Sequence, residues 1–401
     1  MMSLHLAGRP DRRLLAFGIV GSAFCLRLVF ASLSVRLPEV ALATGLALWQ
    51  VGLLTTLPVL CLGVFAPLAP RLAQLWGAER SLLGALVLIA LGTACRALGP
   101  VWALFSFSIL TGAAIAVANV LLPALVKRDF QDRSAWLTGA YVTAISGGAA
   151  LAAAVTIPVE AALGGGWRMG LAIWAAPVVV VCLVWLPLAR RGAPVAQADA
   201  APVPGLWRHP LAWSLAFFMG FQSALAFCVI GWLAPILRAR GLDAETAGLV
   251  LSVLILVQLA TSLTIPAAAA RRPDQRVLAL VLSLTATGAL LGLLLAPLSG
   301  VWVWAVVQGL AQGGLFSLAL TLVLLRSADS DVASQLSGMA QGVGYVPAAL
   351  SPLGVGLLRQ WTGGFEGVAG LVIIIGVGLV ASGLIAGQDR VVGSAFLTSP
   401  R

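Results

Sequence analysis

The chain has 401 residues, of which 60% are hydrophobic and 9% charged, with a net charge of +10. A soluble globular domain carries about 25% charged residues, so the composition excludes one. The basic excess would suit a nucleic-acid binder, but it is spread over short polar segments between long apolar ones, which is how membrane topology is written.

After a polar start over 1–13, twelve apolar runs follow, near 14–35, 49–70, 81–98, 101–126, 134–159, 168–189, 210–235, 246–270, 277–296, 301–325, 333–358 and 366–386. Most approach the ~20 residues a helix needs to cross the hydrocarbon. None alternates as a β-barrel strand would. The expected fold is an all-α membrane protein with twelve transmembrane helices. With the N-terminus inside, 17 Lys/Arg fall on the cytoplasmic side and six (Arg36, Arg96, Arg168, Arg238, Arg240, Arg359) on the other. This puts both termini in the cytoplasm and reads as a multi-pass protein of the cell inner membrane. The first run follows basic residues as a signal peptide would, but it is too long for one and has no small-x-small cleavage site, so it is read as a retained helix.

That first run holds Arg27, the one charge deep in an apolar segment. An arginine in hydrocarbon costs at least about 2.5–3.5 kcal/mol on insertion scales, so a chain that keeps it has a use for it. Counting from residue 14, Arg27 falls in the outer half of the membrane. A permanently charged planar fork suits carboxylate-like oxygens. Further along, polar residues deep in the runs are candidate co-ligands: Asn119, Tyr141, Gln222, Gln258, Gln308, Gln312, Gln341 and Tyr345. Each is either a ligand or glue between helices; Asn119, beside a Leu-Leu-Pro bend, also suits a gate. Ser146-Gly147-Gly148 in the fifth run and Gly342, Gly344, Pro347 and Pro352 in the eleventh are expected to loosen those helices.

What is missing is also informative. No acidic residue lies well inside a run; Glu39 and Glu160 sit at outer ends, and neither His5 nor His209 is in the membrane. A proton-coupled exporter of cations would use an embedded carboxylate. The five cysteines lie in or beside apolar runs without a metal-ligand pattern and read as packing residues. There is no Walker loop, no nucleophilic triad and no metal cluster; Gly164-Gly165-Gly166 is a turn. The chain is not expected to be an enzyme or to hold a cofactor or metal.

Residues 190–209, within the run RRGAPVAQADAAPVPGLWRHP, read as a cytoplasmic linker between an N-terminal bundle, 14–189, and a C-terminal bundle, 210–386, with a cytoplasmic tail at 387–401. A shift of about 200 residues aligns the halves. Pro67 and Arg71 match Pro266 and Arg271, Val101-Trp102 matches Val301-Trp302, Asp129 matches Asp329, and Leu137-Thr138-Gly139 matches Leu336-Ser337-Gly338. A six-plus-six repeat is the arrangement of the major facilitator fold, with substrate held between the halves near the midplane.

Several stretches carry a narrower resemblance. LLTTLPVLCLGVFAPLAPRLA in the second run, NVLLPALVKRDF at 119–130, FQS…WLAPIL at 221–237, QGGLFSLALTLVLLRS at 312–327 and LSGMAQGVGYVPAALSPLGVGLL at 336–358 resemble the cyanate permease / nitroimidazole transporter branch of the major facilitator superfamily. The loop APLAPRLAQLWGAERSLL resembles the superfamily's loop signature, keeping Arg71, Gly77 and Arg80 but with Pro70 in place of an Asp, so the gating relay it implies is weakened. Arg27 falls where the branch has Asn-Leu-Arg-Pro; without that Asn and Pro the helix is expected to break less easily.

The resulting expectation is a secondary active transporter moving a small anion or polar organic acid, cyanate-like, by alternating access. Arg27, Gln222, Gln341, Tyr345, Tyr141 and Asn119 would bind substrate; Arg71, Arg80, Gly147, Gly148, Pro347 and Pro352 would serve gating. A monomer in contact with lipid and not nucleic acid is implied. Two alternatives stay open: an efflux carrier for neutral nitroimidazole-like or other small drugs, and a transport-inactive sensor on the same scaffold.

Overall fold

The structure, a computed structural model, describes residues 12–98, 100–130, 134–190 and 205–392. The N-terminus expected over 1–13 thus lies almost wholly outside the described residues, as do most of the linker and the end of the tail. Among the described residues the helices are α1 (Arg12–Cys25), α2 (Leu28–Thr44), α3 (Leu48–Val64), α4 (Leu68–Trp76), α5 (Ala78–Cys95), α6 (Val101–Asp129), α7 (Ser134–Leu163), α8 (Gly166–Ala172) and α9 (Ala175–Ala189). The second half adds α10 (Pro210–Ala239), α11 (Ala244–Ala270), α12 (Arg276–Leu295), α13 (Val301–Leu325), α14 (Ser330–Thr362) and α15 (Glu366–Ala386).

Among the described residues ten spans are long and apolar enough to cross a membrane, and α3 with α4, bent by 60°, makes an eleventh. The twelfth is α14, whose 33 residues reach about 50 Å at 1.5 Å each. It is more polar than the other spans and packs chiefly against α10 and α3. The breaks do not fall where the loosening residues suggested. α7 runs unbroken through Gly147-Gly148 and α14 through Pro347 and Pro352. The breaks come instead in the first, second and sixth spans, at Leu26-Arg27, Phe65–Pro67 and Ile173-Trp174.

Small residues let the helices approach closely within each half, as membrane packing favours. A Cβ on Gly112 of α6 would lie 2.6 Å from Pro58 Cα of α3. In the second half, one on Gly313 of α13 would lie 2.0 Å from the Gln258 carbonyl oxygen of α11. These two contacts join repeat-related helices, which is the 200-residue offset expressed as packing. The halves meet along α2 with α10, α3 with α14, and α7 with α11. The last two pairs exchange under the same offset, so the interface has the pseudo-two-fold symmetry of the repeat. At the termini end, buried Arg326 donates to the carbonyls of Pro273 (2.9 Å), Ala386 (3.3 Å) and Gly387 (3.1 Å), pinning the start of the tail to the second half.

Candidate functional site between the halves

The first span is α1 and α2 together, 14 and 17 residues, so it continues to Thr44 rather than ending at Val35. Arg27 lies between them, near the midpoint of the span and not in its outer half. The helix does break there, even without the Asn and Pro that would have made a break easy. Leu26 N–H donates back to the Ala23 carbonyl at 3.2 Å, and Arg27 adopts φ −110°, ψ −7°. The segment before the break is packed closely on two sides. α7 lies so close that a Cβ on Gly148 would be 2.1 Å from the Phe24 carbonyl oxygen. On the other side Trp185 Nε1–H donates to Ser22 Oγ (2.8 Å), and Ser22 Oγ–H to the Gly18 carbonyl (2.7 Å), fixing α1 against α9.

The half-buried Arg27 guanidinium rests on two rings, 5.7 Å from the Phe30 centroid and 5.3 Å from that of Phe227. Phe30 belongs to the first half and Phe227 to the second; their centroids are 6.2 Å apart. Tyr141 and Tyr345 stand near enough to interact with it electrostatically. No hydrogen bond or ion pair joins the Arg27 guanidinium to another described residue. Cation–π contacts recover about 0.5–2 kcal/mol each, against about 2.5–3.5 kcal/mol or more for the buried charge. The arrangement holds the charge without neutralising it.

The structure thus gathers Arg27, Tyr141 and Tyr345, drawn from α7, α14 and the first span. Gln341 lies one turn from Tyr345 on the same face of α14, toward the termini, exposed, its amide donating to Ser337 Oγ at 3.1 Å. Asn119 is half-buried on α6 and its side chain makes no hydrogen bond to a described residue. Gln222 is different: it is 1% exposed, it donates to Ser223 Oγ at 2.7 Å, and its amide oxygen and backbone carbonyl receive Gln312 Nε2 at 3.3 and 3.1 Å. Its polar atoms are spent tying α10 to α13 within one half, so it belongs with the helix glue and not with Arg27. Gln308 is fully buried with both amide atoms unpartnered.

Of the gating candidates, Arg71 is exposed on α4, and Arg80 donates from Nε to the Ala189 carbonyl at 3.1 Å, inside the first half. Gly148 is the close-approach point above, whereas a Cβ on Gly147 would meet open space. Pro347 packs on Gly220 within the second half, while the Pro352 carbonyl faces Gly52 of α3 across the halves. Despite Pro70, a charge network survives beside α4: Arg128 pairs with Glu79 and, at 2.8 Å, with Asp129.

Two features were missed. Arg96 was counted with the outer loops, yet it is 0% exposed. Its Nη1 reaches the Val29 carbonyl at 3.4 Å, and its Nε and Nη2 have no partner. The signal was present, since Arg96 falls inside the apolar run 81–98. The second feature is an ion-pair cluster at the end of the bundle away from the termini. Arg36 pairs with Glu160 and with Glu39 (3.3 Å), and Glu39 also pairs with Arg238 at 2.6 Å. Glu39 and Glu160 are therefore helix residues, on α2 and α7, with Glu160 6% exposed. The Glu39–Arg238 pair crosses between the halves, as do Ser34 Oγ–H to the Gly231 carbonyl (3.2 Å) and Trp49 N–H to Gln360 Oε1 (3.1 Å).

Chemically, this is an uncompensated cation at the centre of an interface between two halves, closed by paired charges at one end. Comparison with known proteins agrees with that architecture. The sequence profile of the Major Facilitator Superfamily matches residues 19–352. The chain is 36% identical to the 2-nitroimidazole transporter of Escherichia coli (strain K12), covering 97% of this chain and 98% of that one. It is 33% identical to the cyanate transport protein CynX of the same organism, covering 85% and 88%. In shape it is similar to a bacterial homolog of the human lysosomal transporter Spinster in an inward-facing and occupied conformation, with a TM-score of 0.72, 16% identity and coverage of 97% and 96%.

Proposed function

The chain belongs to the Major Facilitator Superfamily of membrane transporters, and we propose that it carries a small anion or polar organic acid by alternating access to a site at Arg27. The observation that carries this reading is the Arg27 guanidinium, held at the meeting of the halves by Phe30 and Phe227 with no hydrogen bond or ion pair to another described residue. A guanidinium so held lacks only an anion, and its donors match carboxylate-like oxygens. Tyr141 and Tyr345 supply phenol groups for orientation, and Gln341 and Asn119 line the approach from the termini end.

The halves 14–189 and 210–386 rock about this site. Both termini are cytoplasmic, a reading supported by the 17 to six distribution of basic residues. The present arrangement, latched at the far end by Glu39–Arg238, is then inward-facing. Each chain holds both halves of its site, so it works as a monomer in the inner membrane.

The test is thermal stabilisation of the purified protein beside Arg27→Gln, against cyanate, formate, benzoate and 2-nitroimidazole. A ligand at a hundredfold excess over its Kd stabilises by about 2.7 kcal/mol. An anion that shifts the wild type and not the variant is the expected result. Equal shifts in both, or none in either, overturn the reading. One observation favours a second reading: the aromatic faces beside Arg27 suit a flat neutral ring, and a relative is named for 2-nitroimidazole. In that case 2-nitroimidazole shifts the protein and the anions do not.

A further inference from the structure

The two rings that hold Arg27 also line a second space. Phe30 and Phe227, with Thr55 and Gly231, border a cavity of ≈ 20 Å³ on the side away from the termini, and Arg96 lines it while Arg27 does not. That volume admits one water-sized group. Arg96 is fully buried, and the single hydrogen bond of its guanidinium, to the Val29 carbonyl, is long at 3.4 Å. Its Nε and Nη2 are buried without a partner, and no ion pair to a described residue balances its charge. Burying an unpaired charge costs several kcal/mol even after relaxation. A structural arginine at a helix end would repay that through carbonyls, as Arg326 does with three of them. Arg96 does not.

We propose that Arg96 is a second subsite for the same small anion, beyond the Phe30–Phe227 pair, which receives the anion from Arg27 when the rings part. The rings belong to opposite halves, so the motion that opens the far end separates them and widens the cavity. In the present state the rings close the passage and the cavity is too small for the anion. The anion is monovalent and small, with carboxylate-like or cyanate-like donor recognition, because a fixed guanidinium meets it at each stop. No proton is exchanged at either arginine. This inference rests on the reading of Arg27 as an anion site.

The experiment reconstitutes the full chain in liposomes and measures uptake of labelled cyanate or formate, whichever stabilises the wild type. Uptake and thermal shift are read for Arg96→Gln, Arg96→Lys and Arg27→Gln. Arg96→Gln is expected to keep the anion-dependent thermal shift of the inward-facing state, with Kd within about threefold, while uptake falls at least tenfold. Arg96→Lys restores part of the uptake because it restores the charge. Arg27→Gln loses both, which separates the two readings: if it keeps the shift, the central site is wrong and this inference falls with it. Folded Arg96→Gln that transports within twofold of wild type overturns the second subsite alone. Failure of both Arg96 variants to fold assigns the residue to the scaffold and also overturns it.

Discussion

Charges at the centre of this protein and charges at its far end are treated in opposite ways. At the far end every charge in the Arg36–Glu39–Glu160–Arg238 cluster has an opposite partner, and one pair crosses the halves. At the centre Arg27 leans on rings, and Arg96 has one long bond. Fixed pairs suit a contact that must form and release as a unit, because both partners return to water together when the halves part. An unpaired cation suits a ligand that comes and goes, because a resident carboxylate would compete with it. On the proposed function, the location of the missing counter-charge separates the latch from the site.

The comparison is tested hardest at Arg27. Replacing it with Gln removes a charge-assisted contact worth about 1.5–3 kcal/mol, so transport should fall about 10- to 100-fold while the protein still folds. Uptake into proteoliposomes measures it; near-normal uptake would place the site elsewhere. Next in size is Gly148→Val. Its side chain would collide with the Phe24 carbonyl, and overpacking of this kind costs about 1–3 kcal/mol. The melting temperature should drop, and because the collision is at the break that presents Arg27, anion stabilisation should drop too. A variant that loses stability but keeps its anion response would uncouple the break from the site.

The fold was legible because hydrophobic length and the 200-residue offset are carried by many residues at once. Arg27 was legible because a lone charge in an apolar run has few explanations. What could not be read was set by contacts between distant segments. The break at Arg27 lies beside the close approach of Gly148, 121 positions away in the chain. Gln222 looks like any other buried amide until Gln312 is seen against it. Hydropathy could not tell whether Arg96, two residues from the end of its run, turns outward or inward. Glu39 and Glu160 read as outer ends because the apolar runs end before the helices do.

The latch gives a smaller effect with a sharper signature. Glu39→Gln leaves Arg238 only its contact with the Val35 carbonyl at 3.5 Å. The pair is partly exposed, with side-chain exposures of 26% and 23%, so it contributes at most about 1 kcal/mol. That is about a fivefold shift toward states open at the far end. Labelling of a cysteine introduced at Leu33, which lines the Arg96 cavity, should speed up by that factor. Glu160→Gln disturbs pairing inside one half only, so it should lower stability without speeding the labelling. Equal acceleration in both variants would mean that the cluster acts as one unit and not through its cross-half pair.

The smallest effect concerns a charge that belongs to neither class. Asp243 caps α11, accepting the Thr246 N–H at 2.8 Å. That bond holds its carboxyl below the usual Asp range. A carboxylate whose folded value is depressed stabilises the protein above its unfolded value, near 3.9, and loses that contribution as pH falls through the lower folded value. Asn also caps helices but does not titrate, so Asp243→Asn should melt slightly below wild type at pH 7, and the two curves should converge as acid protonates the folded-state carboxylate. Because Asp243 serves its own helix, labelling at the Leu33 cysteine should not change. If it did, the cap would be a further part of the latch, and the far end would be set by helix termini as well as by ion pairs.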